Sequence, residues 1–443
     1  MAMIAHLQLV FCKSTICSAA LAMLAIPGTA AARNADGIIT YKVKRGDTLI
    51  ALAHRYFKRP GLYRVVQRQN RITSPRQIPV GKTLRISRSF LKYKPSTARF
   101  ISVRGKVFVD GKRVKSGDVI REGVRMNTAA ASYATLQLGN GSRVSLPSNS
   151  AVKVQLLRRY VLGGNFDYDF AVTKGGARSK VSPLKSRNDR YRVRSPKAVS
   201  AVRGTDFNVR FDADTNKDFA EVLEGRLAVK SGRVPAAADT RALPSGKGLA
   251  VAANGKGVID TLLPPPELIA GGKAQTKAAV TFAAKPQPGE RGYRFTISAD
   301  AGFTDIVFDE ITEQSSLTIN SLNDGSYFLR VRAIAASGLQ GMPATLTFRR
   351  RLNDVKLKAG QQNDGFVFSW DGSGNGVQRY HFQLIKDRPD AVPMVDQPGL
   401  VVSRMSVSDL PPGTYFWRVG TQQFLNGETA KDWSDFEKLS LTD

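Results

Sequence analysis

The chain has 443 residues and a formal charge of +30, from 66 Lys and Arg against 36 Asp and Glu. That length exceeds what one hydrophobic core serves, and 42% apolar with 23% charged residues excludes a disordered chain. The surplus charge calls for an acidic partner or for a reason to tolerate self-repulsion.

Lys13 precedes an apolar run from Ile16 to Ile26, followed by Pro27, Gly28 and the small residues Ala30-Ala31-Ala32. A basic start, a short apolar centre and an A-x-A site predict a secretory signal peptide over residues 1–32. The run is shorter than the roughly 20 residues a spanning helix needs, and no later run is long enough to span. Both cysteines, Cys12 and Cys17, fall inside this segment, so the exported chain is expected to have no disulfide and no thiol chemistry. Export to the periplasm or cell envelope also makes nucleic acid an unsuitable acidic partner.

In "YKVKRGDTLIALAHRYF", Tyr41 and Val43 alternate with Lys42 and Lys44, the pattern of a half-buried strand. Leu49, Leu52, Ala53 and Tyr56 then fall on one helical face. Gly46 permits a tight backbone turn, and Asp47 or Thr48 is placed to cap the helix. A second helix is predicted from Pro60 to Asn70, with Leu62, Val65 and Val66 inward and Asn70 ending it in the left-handed region. "KTLRI" (82–86) gives a second strand with Leu84 and Ile86 buried. The order is strand–helix–helix–strand.

"LKYKPSTA" separates this unit from the next, and "TLLPPPEL" is a stiff breaker further on. Beyond residue 98 almost everything alternates like strand. "ATLQLGNGSRVSL" predicts a hairpin about Gly139-Asn140-Gly141, with Leu136, Leu138, Val144 and Leu146 inward, and "FAEVLEGRLAVK" predicts another about Glu224-Gly225. Gly204, Thr205 and Asp206 read as a turn between strands. The end of the chain repeats itself: "GYRFTISAD" is answered by "RYHFQLIKD" and "DGSYFLRVRA" by "PGTYFWRVGT". Tyr293 and Tyr380 are 87 residues apart and Tyr327 and Tyr415 are 88 apart, which predicts two copies of one domain. The charge is uneven: residues 40–87 carry 12 basic and 1 acidic residues, 88–266 carry 33 and 14, and 267–443 carry 19 and 20. The basic excess therefore belongs to the first two-thirds.

Tyr41-x-Val43-x-x-Gly46-Asp47-Thr48-Leu49, followed by Leu52-Ala53, Tyr56, Asn70, Ile72, Ile78, Gly81, Leu84 and Ile86, resembles a LysM domain over residues 39–88. LysM domains bind the N-acetylglucosamine of peptidoglycan or chitin. The resemblance implies a shallow groove between two loops, with Gly46, Asp47, Thr48 and Leu49 facing Ile78, Pro79, Val80 and Gly81. Such a groove needs backbone amides and a small apolar wall for an N-acetyl group, and no catalytic residue. Residues 98–260 resemble a FecR-type domain of mainly β structure, most specifically in the run from Ser195 to Val209. The cytoplasmic arm and membrane helix of the signalling FecR proteins have no counterpart here. Residues 266–350 and 351–443 resemble fibronectin type III-like β-sandwiches, with Trp370 and Trp417 in their cores.

The fold class expected is thus multidomain: a small βααβ unit, a mainly-β body and two β-sandwiches. A thiol transpeptidase needs a cysteine, and a zinc peptidase needs clustered histidines, whereas His54, on the solvent side of its helix, and His381 lie over 300 residues apart. Counting does not exclude a two-carboxylate glycosidase, but no helical wall-hydrolase unit is present. The expectation is a non-catalytic, cofactor-free peptidoglycan-binding protein. The alternative is a periplasmic sensor or adaptor whose FecR-like body binds a periplasmic or outer-membrane protein or an anionic envelope polymer.

Overall fold

Antiparallel strands β1 (Ile38–Lys42) and β2 (Thr83–Ser87) form a two-stranded sheet, with Ile38 opposite Ser87 and Lys42 opposite Thr83. This computed structural model describes residues 37–202, 204–231, 240–362, 365–425 and 427–442; the expected signal peptide lies outside the described residues. Between the strands run α1 (Leu49–Tyr56) and α2 (Tyr63–Gln69). Leu49, Leu52 and Ala53 are buried, as their spacing requires, and pack with Ile39, Val43, Val66, Leu84 and Ile86. Each Leu, Ile or Val among them contributes roughly 1.5–3 kcal/mol when fully buried.

The second helix is shorter than its sequence suggests. Pro60 lacks an N–H and opens a 3₁₀ turn, Pro60–Leu62, before α2 begins. Asn70 is not left-handed (φ −102°); the next residue, Arg71, takes that conformation (φ 52°). The Asn70 amide instead donates to the carbonyls of Val66 and Arg85 and accepts from the Arg85 N–H, tying the end of α2 to β2. Segment 91–98 carries a strand, Tyr93–Pro95, paired with Arg158–Tyr160.

The β-rich body that follows is two sheets sharing one strand. Phe166–Lys180 pairs through its first half with Ala151–Tyr160 and Arg190–Arg194, and through its second half with Arg143–Leu146 and Asp206–Asp212. The crossing point is Gly175, at φ 68°, where a Cβ would lie 2.5 Å from Ser150 Oγ and 2.7 Å from the Asn149 carbonyl. One core fills the body, including Leu136, Leu138, Val144, Leu146, Phe170 and Phe207. The hairpin predicted about Gly139–Gly141 is present.

The one predicted about Glu224-Gly225 is not. Lys217–Glu224 pairs with Asp206–Asp212 and Lys247–Val251, whereas Arg226–Ser231 pairs with Ala198–Val202 and Thr240–Pro244. The first of these strands is buried along nearly its whole length and takes a central place in one sheet; at Gly225 (φ 81°) the chain leaves for the other. Asp206 likewise belongs to a strand rather than a turn, and receives Arg178 through two hydrogen bonds of 3.0 and 2.7 Å.

Two further units each place a three-stranded sheet against a larger one. In the third unit Val280, Phe282, Tyr293, Phe295, Leu329 and Val331 share a core; in the fourth Phe368, Trp370, Phe382, Leu384, Trp417 and Val419 do. The repeat extends to a hydrogen bond: Tyr327 donates to the carbonyl of Asn323 at 3.0 Å, and Tyr415 to that of Pro411 at 2.6 Å, each four residues upstream. This corner, in which a tyrosine fixes the preceding loop, recurs in β-sandwiches. The proline-rich segment is docked on the side that precedes its prolines. Leu262 is buried with Phe219, Leu223 and Leu339, and the Leu263 carbonyl accepts from Met342.

Gly175→Ala forces a positive φ and a steric clash at the strand crossing, so it should lower the stability of the body by about 1–3 kcal/mol. Urea unfolding followed by circular dichroism checks this; an unchanged midpoint would contradict the crossing geometry.

Candidate functional site

The pairing of Lys42 with Thr83 fixes where the two candidate loops go. The chain leaves β1 into residues 43–48 and enters β2 from residues 75–82, so both loops lie at one end of the small sheet. Three backbone bonds join them: Val43 N–H to Lys82 O, Gly81 N–H to Val43 O, and Leu49 N–H to Pro75 O, at 2.9, 2.9 and 2.8 Å. Gly46 and Gly81 both have positive φ, 86° and 83°, conformations that glycine adopts without strain.

Asp47 and Thr48 divide the work that the sequence left open between them. Thr48 is the N-cap of α1, its hydroxyl accepting from the Ala51 N–H at 3.0 Å. Asp47 closes the loop instead. Its carboxylate accepts from the Lys44 N–H and from the Tyr41 hydroxyl, both at 2.7 Å. Burial and this carboxylate push the Tyr41 phenol up to about 12, so it remains a donor at physiological pH. The spacing of Tyr41 and Asp47, six residues across a turn, carried no signal that would have found this bond.

The loop residues differ in what they present. Leu49 has no exposed surface and Ile78 only 8%, and both belong to the small core. Gly46, Pro79 and Val80 are exposed, Val80 by 66%, and Asp47, Thr48 and Gly81 are half-buried. The amides of Asp47, Leu49, Gly81 and Lys82 are bonded within the chain, whereas those of Gly46, Thr48 and Val80 have no partner among the described residues. The end of the sheet therefore offers free N–H donors beside an exposed isopropyl group.

The small unit is fixed to the body at its opposite side. Tyr160 and Leu162, from the body, complete the small core. Asn188 accepts from the Thr40 N–H and donates to the Thr40 carbonyl, at 2.9 and 2.8 Å. Arg88, 7% exposed, donates to the Asn188 carbonyl at 2.6 Å and lies 3.7 Å from Asp167, whose carboxylate Arg190 grips through bonds of 2.7 and 2.6 Å. Desolvation pulls the Arg88 guanidinium below its ordinary range, with Asp167 acting against it.

The two histidines are far from one another. His54 is exposed on α1, and His381 lies beside Asp396 in the fourth unit. Among the described residues no group of three or more His, Asp or Glu is arranged to hold a metal, and no helix is long and apolar enough to cross a membrane.

The LysM domain family matches residues 41–87, and the FecR protein family matches residues 124–228. No curated protein matches the chain. Among solved structures, a provisionally assigned anti-sigma factor from Parabacteroides distasonis ATCC 8503 is similar at 17% identity and a TM-score of 0.26, over 31% of this chain and 59% of that one. A second structure of the same description matches at 16% and 0.26, over 32% and 68%. A two-domain fibronectin type III segment of chicken tenascin matches at 15% and 0.19, over 40% and 98%. This chain therefore spans 59% of the first of these structures.

Thr48→Ala removes the only side-chain cap of α1, because Asp47 is engaged elsewhere; the small unit should lose about 0.5–2 kcal/mol. Ile78→Asp buries an unpaired carboxylate and should unfold the unit altogether. Amide hydrogen exchange across residues 49–69 reads both: modestly faster for Thr48→Ala, unprotected for Ile78→Asp.

Proposed function

We propose that this chain is a non-catalytic protein of the bacterial cell envelope that holds peptidoglycan through its LysM domain. The observation that carries the reading is the match of residues 41–87 to the LysM family, together with the two loops that meet at one end of the sheet. The proposed glycan-facing set is Gly46, Asp47, Thr48, Pro79, Val80 and Gly81, with Leu49 and Ile78 supporting it from the core side. An N-acetyl group presents an acceptor, a donor and a methyl. The free amides of Gly46, Thr48 and Val80 suit the acceptor, and the Val80 side chain suits the methyl.

The rest of the chain serves as a basic body and a spacer. We assign residues 39–88 to the LysM unit, 98–260 to the FecR-like unit, and 266–350 and 351–443 to two fibronectin type III-like units, in a protein exported by its signal peptide. The paired tyrosine corners support the last assignment. Both matched families are non-catalytic, and the proposal is that the protein turns over no glycan. Incubation with purified sacculi should release no reducing ends, and a zymogram band would sink this reading.

One observation favours an adaptor role in addition. Exposed Arg187 and Arg226 border an open hollow of about 850 Å³ on the body, beside Arg190 and Arg192, which are paired with Asp167 and Asp169. An acidic protein segment or anionic polymer suits such a surface, and peptidoglycan stems also carry free carboxylates.

Val80→Asp should leave the fold intact and weaken co-sedimentation of the full chain with sacculi, because it places a charge against the N-acetyl methyl. Raising ionic strength from about 0.15 M to 1 M shortens screening from about 8 Å to 3 Å. Binding of the unaltered chain should fall over that range without vanishing. Unaltered binding by Val80→Asp would remove these loops from the glycan site, and complete loss at high salt would reduce the association to polycation adsorption.

A further inference from the structure

The body and the third unit meet around a partly open cavity of about 60 Å³, crowded with arginines. Arg178 and Arg210 come from the body; Arg294, Arg330 and Arg332 come from the third unit. Three of them have carboxylate partners. Arg178 is held by Asp206, Arg210 by Glu221 and Arg294 by Asp309, with shortest bonds of 2.7, 2.6 and 2.6 Å. Arg332 and Arg330 have none among the described residues.

Arg332 is 5% exposed and bonds only neutral oxygens: the Gly341 carbonyl at 2.6 Å, the Gln340 carbonyl at 2.8 Å and the Gln340 side-chain oxygen at 3.1 Å. A guanidinium has five N–H groups, so two remain. Arg330 lies over the Phe303 ring at 3.5 Å, and its buried Nε has no hydrogen-bond partner. Gln340, fully buried, has an Nε2 with no partner either. Glu221 accepts the Gln340 N–H and Arg210 through Oε1, while its Oε2 is unbonded. Five guanidiniums against three carboxylates leave two positive charges at the cavity, one of them on Arg332, which is almost wholly withdrawn from water. Burial, opposed by Glu221 and reinforced by Arg178, Arg294 and Arg210, brings Arg332 down to about 9, so it remains charged at neutral pH.

A buried charge is costly unless paired, and buried donors are normally bonded. A volume of about 60 Å³ accommodates a few atoms. We propose that this cavity binds one small oxyanion of phosphate or carboxylate chemistry, held by Arg330, Arg332 and the Gln340 side-chain amide, and that the anion locks the third unit onto the body. Arg178 and Arg210 of the body line the same cavity opposite these third-unit residues, so an anion held there faces both units and its binding is coupled to their docking.

The test uses the full chain, with inorganic phosphate or acetate as probe and sodium chloride balancing ionic strength. Thermal unfolding should shift upward and saturate with one of the two probes, and calorimetry should report one site. Phosphate alone assigns a tetrahedral ligand; acetate alone assigns a carboxylate. Arg330→Gln should keep the circular dichroism of the parent and weaken binding by about tenfold or more, the scale of a lost hydrogen bond to a charge. Arg404→Gln, exposed on the fourth unit, should leave binding unchanged. Arg332→Gln is expected to weaken binding further, and Arg330→Gln decides the question if that variant misfolds. Absence of saturable binding by either probe overturns the proposal, as does equal affinity in Arg330→Gln; the second result would place the anion elsewhere on the basic surface.

Discussion

A carboxylate without access to water, that of Asp167, sits where the small unit meets the body. Asp167 lies opposite Arg190 and Asp169 opposite Arg192 on two parallel strands, so alternate residues present acids on one strand and bases on the other. Arg194 adds a second guanidinium to Asp169, and Arg88 reaches Asp167 from the small unit. Four arginines thus share two aspartates. Removing one member of such a buried set leaves another uncompensated, at a cost of roughly 3–5 kcal/mol. The set fixes the strand register and, through Arg88, the seat of the small unit. Part of the chain's basic excess is structural for this reason, and the arginines outnumber the acids even where both are buried.

A charged pair also closes the next joint, here partly open to water. Arg104 grips Asp305 through bonds of 2.8 and 2.7 Å, and Ser102 adds a third to the same carboxylate. Between the third and fourth units Arg351 donates to the Gln423 side chain at 2.6 Å, and Lys277 lies 3.7 Å from both Asp354 and Asp432. Apolar contact supports the charges where Leu262 and Leu339 meet Phe219 and Leu223. Neutral overall, the C-terminal units nevertheless spend their charged residues at the joints.

The small unit was legible in its sequence because its signals are local. Leu49, Leu52 and Ala53 follow a helical period, Leu84 and Ile86 a strand period, and each lies where its period puts it. The repeat was legible for a different reason: Tyr327 and Tyr415 occupy one chemical role, a hydroxyl returned to its own loop. What stayed hidden is non-local. "FAEVLEGRLAVK" has the alternation and glycine of a hairpin, yet its halves enter different sheets, because partner choice was set by strands elsewhere in the chain. The family resemblance placed Ile78 in a loop wall without revealing that its side chain turns inward. The arginine cavity draws on residues from 145 to 340 and left no trace in any single stretch.

The docking of Leu262 and Leu263 changes what the three prolines after them do. A proline run between free domains is a spacer that lets each diffuse about its own pivot. Here the residues before the run are clamped, so the prolines act as a strut rather than a tether. The joint closed by the shielded Asp167 cannot loosen by degrees, since a half-open state exposes an ion that has lost its partner and not yet gained water. Tension that reaches this joint is therefore held until it releases all at once.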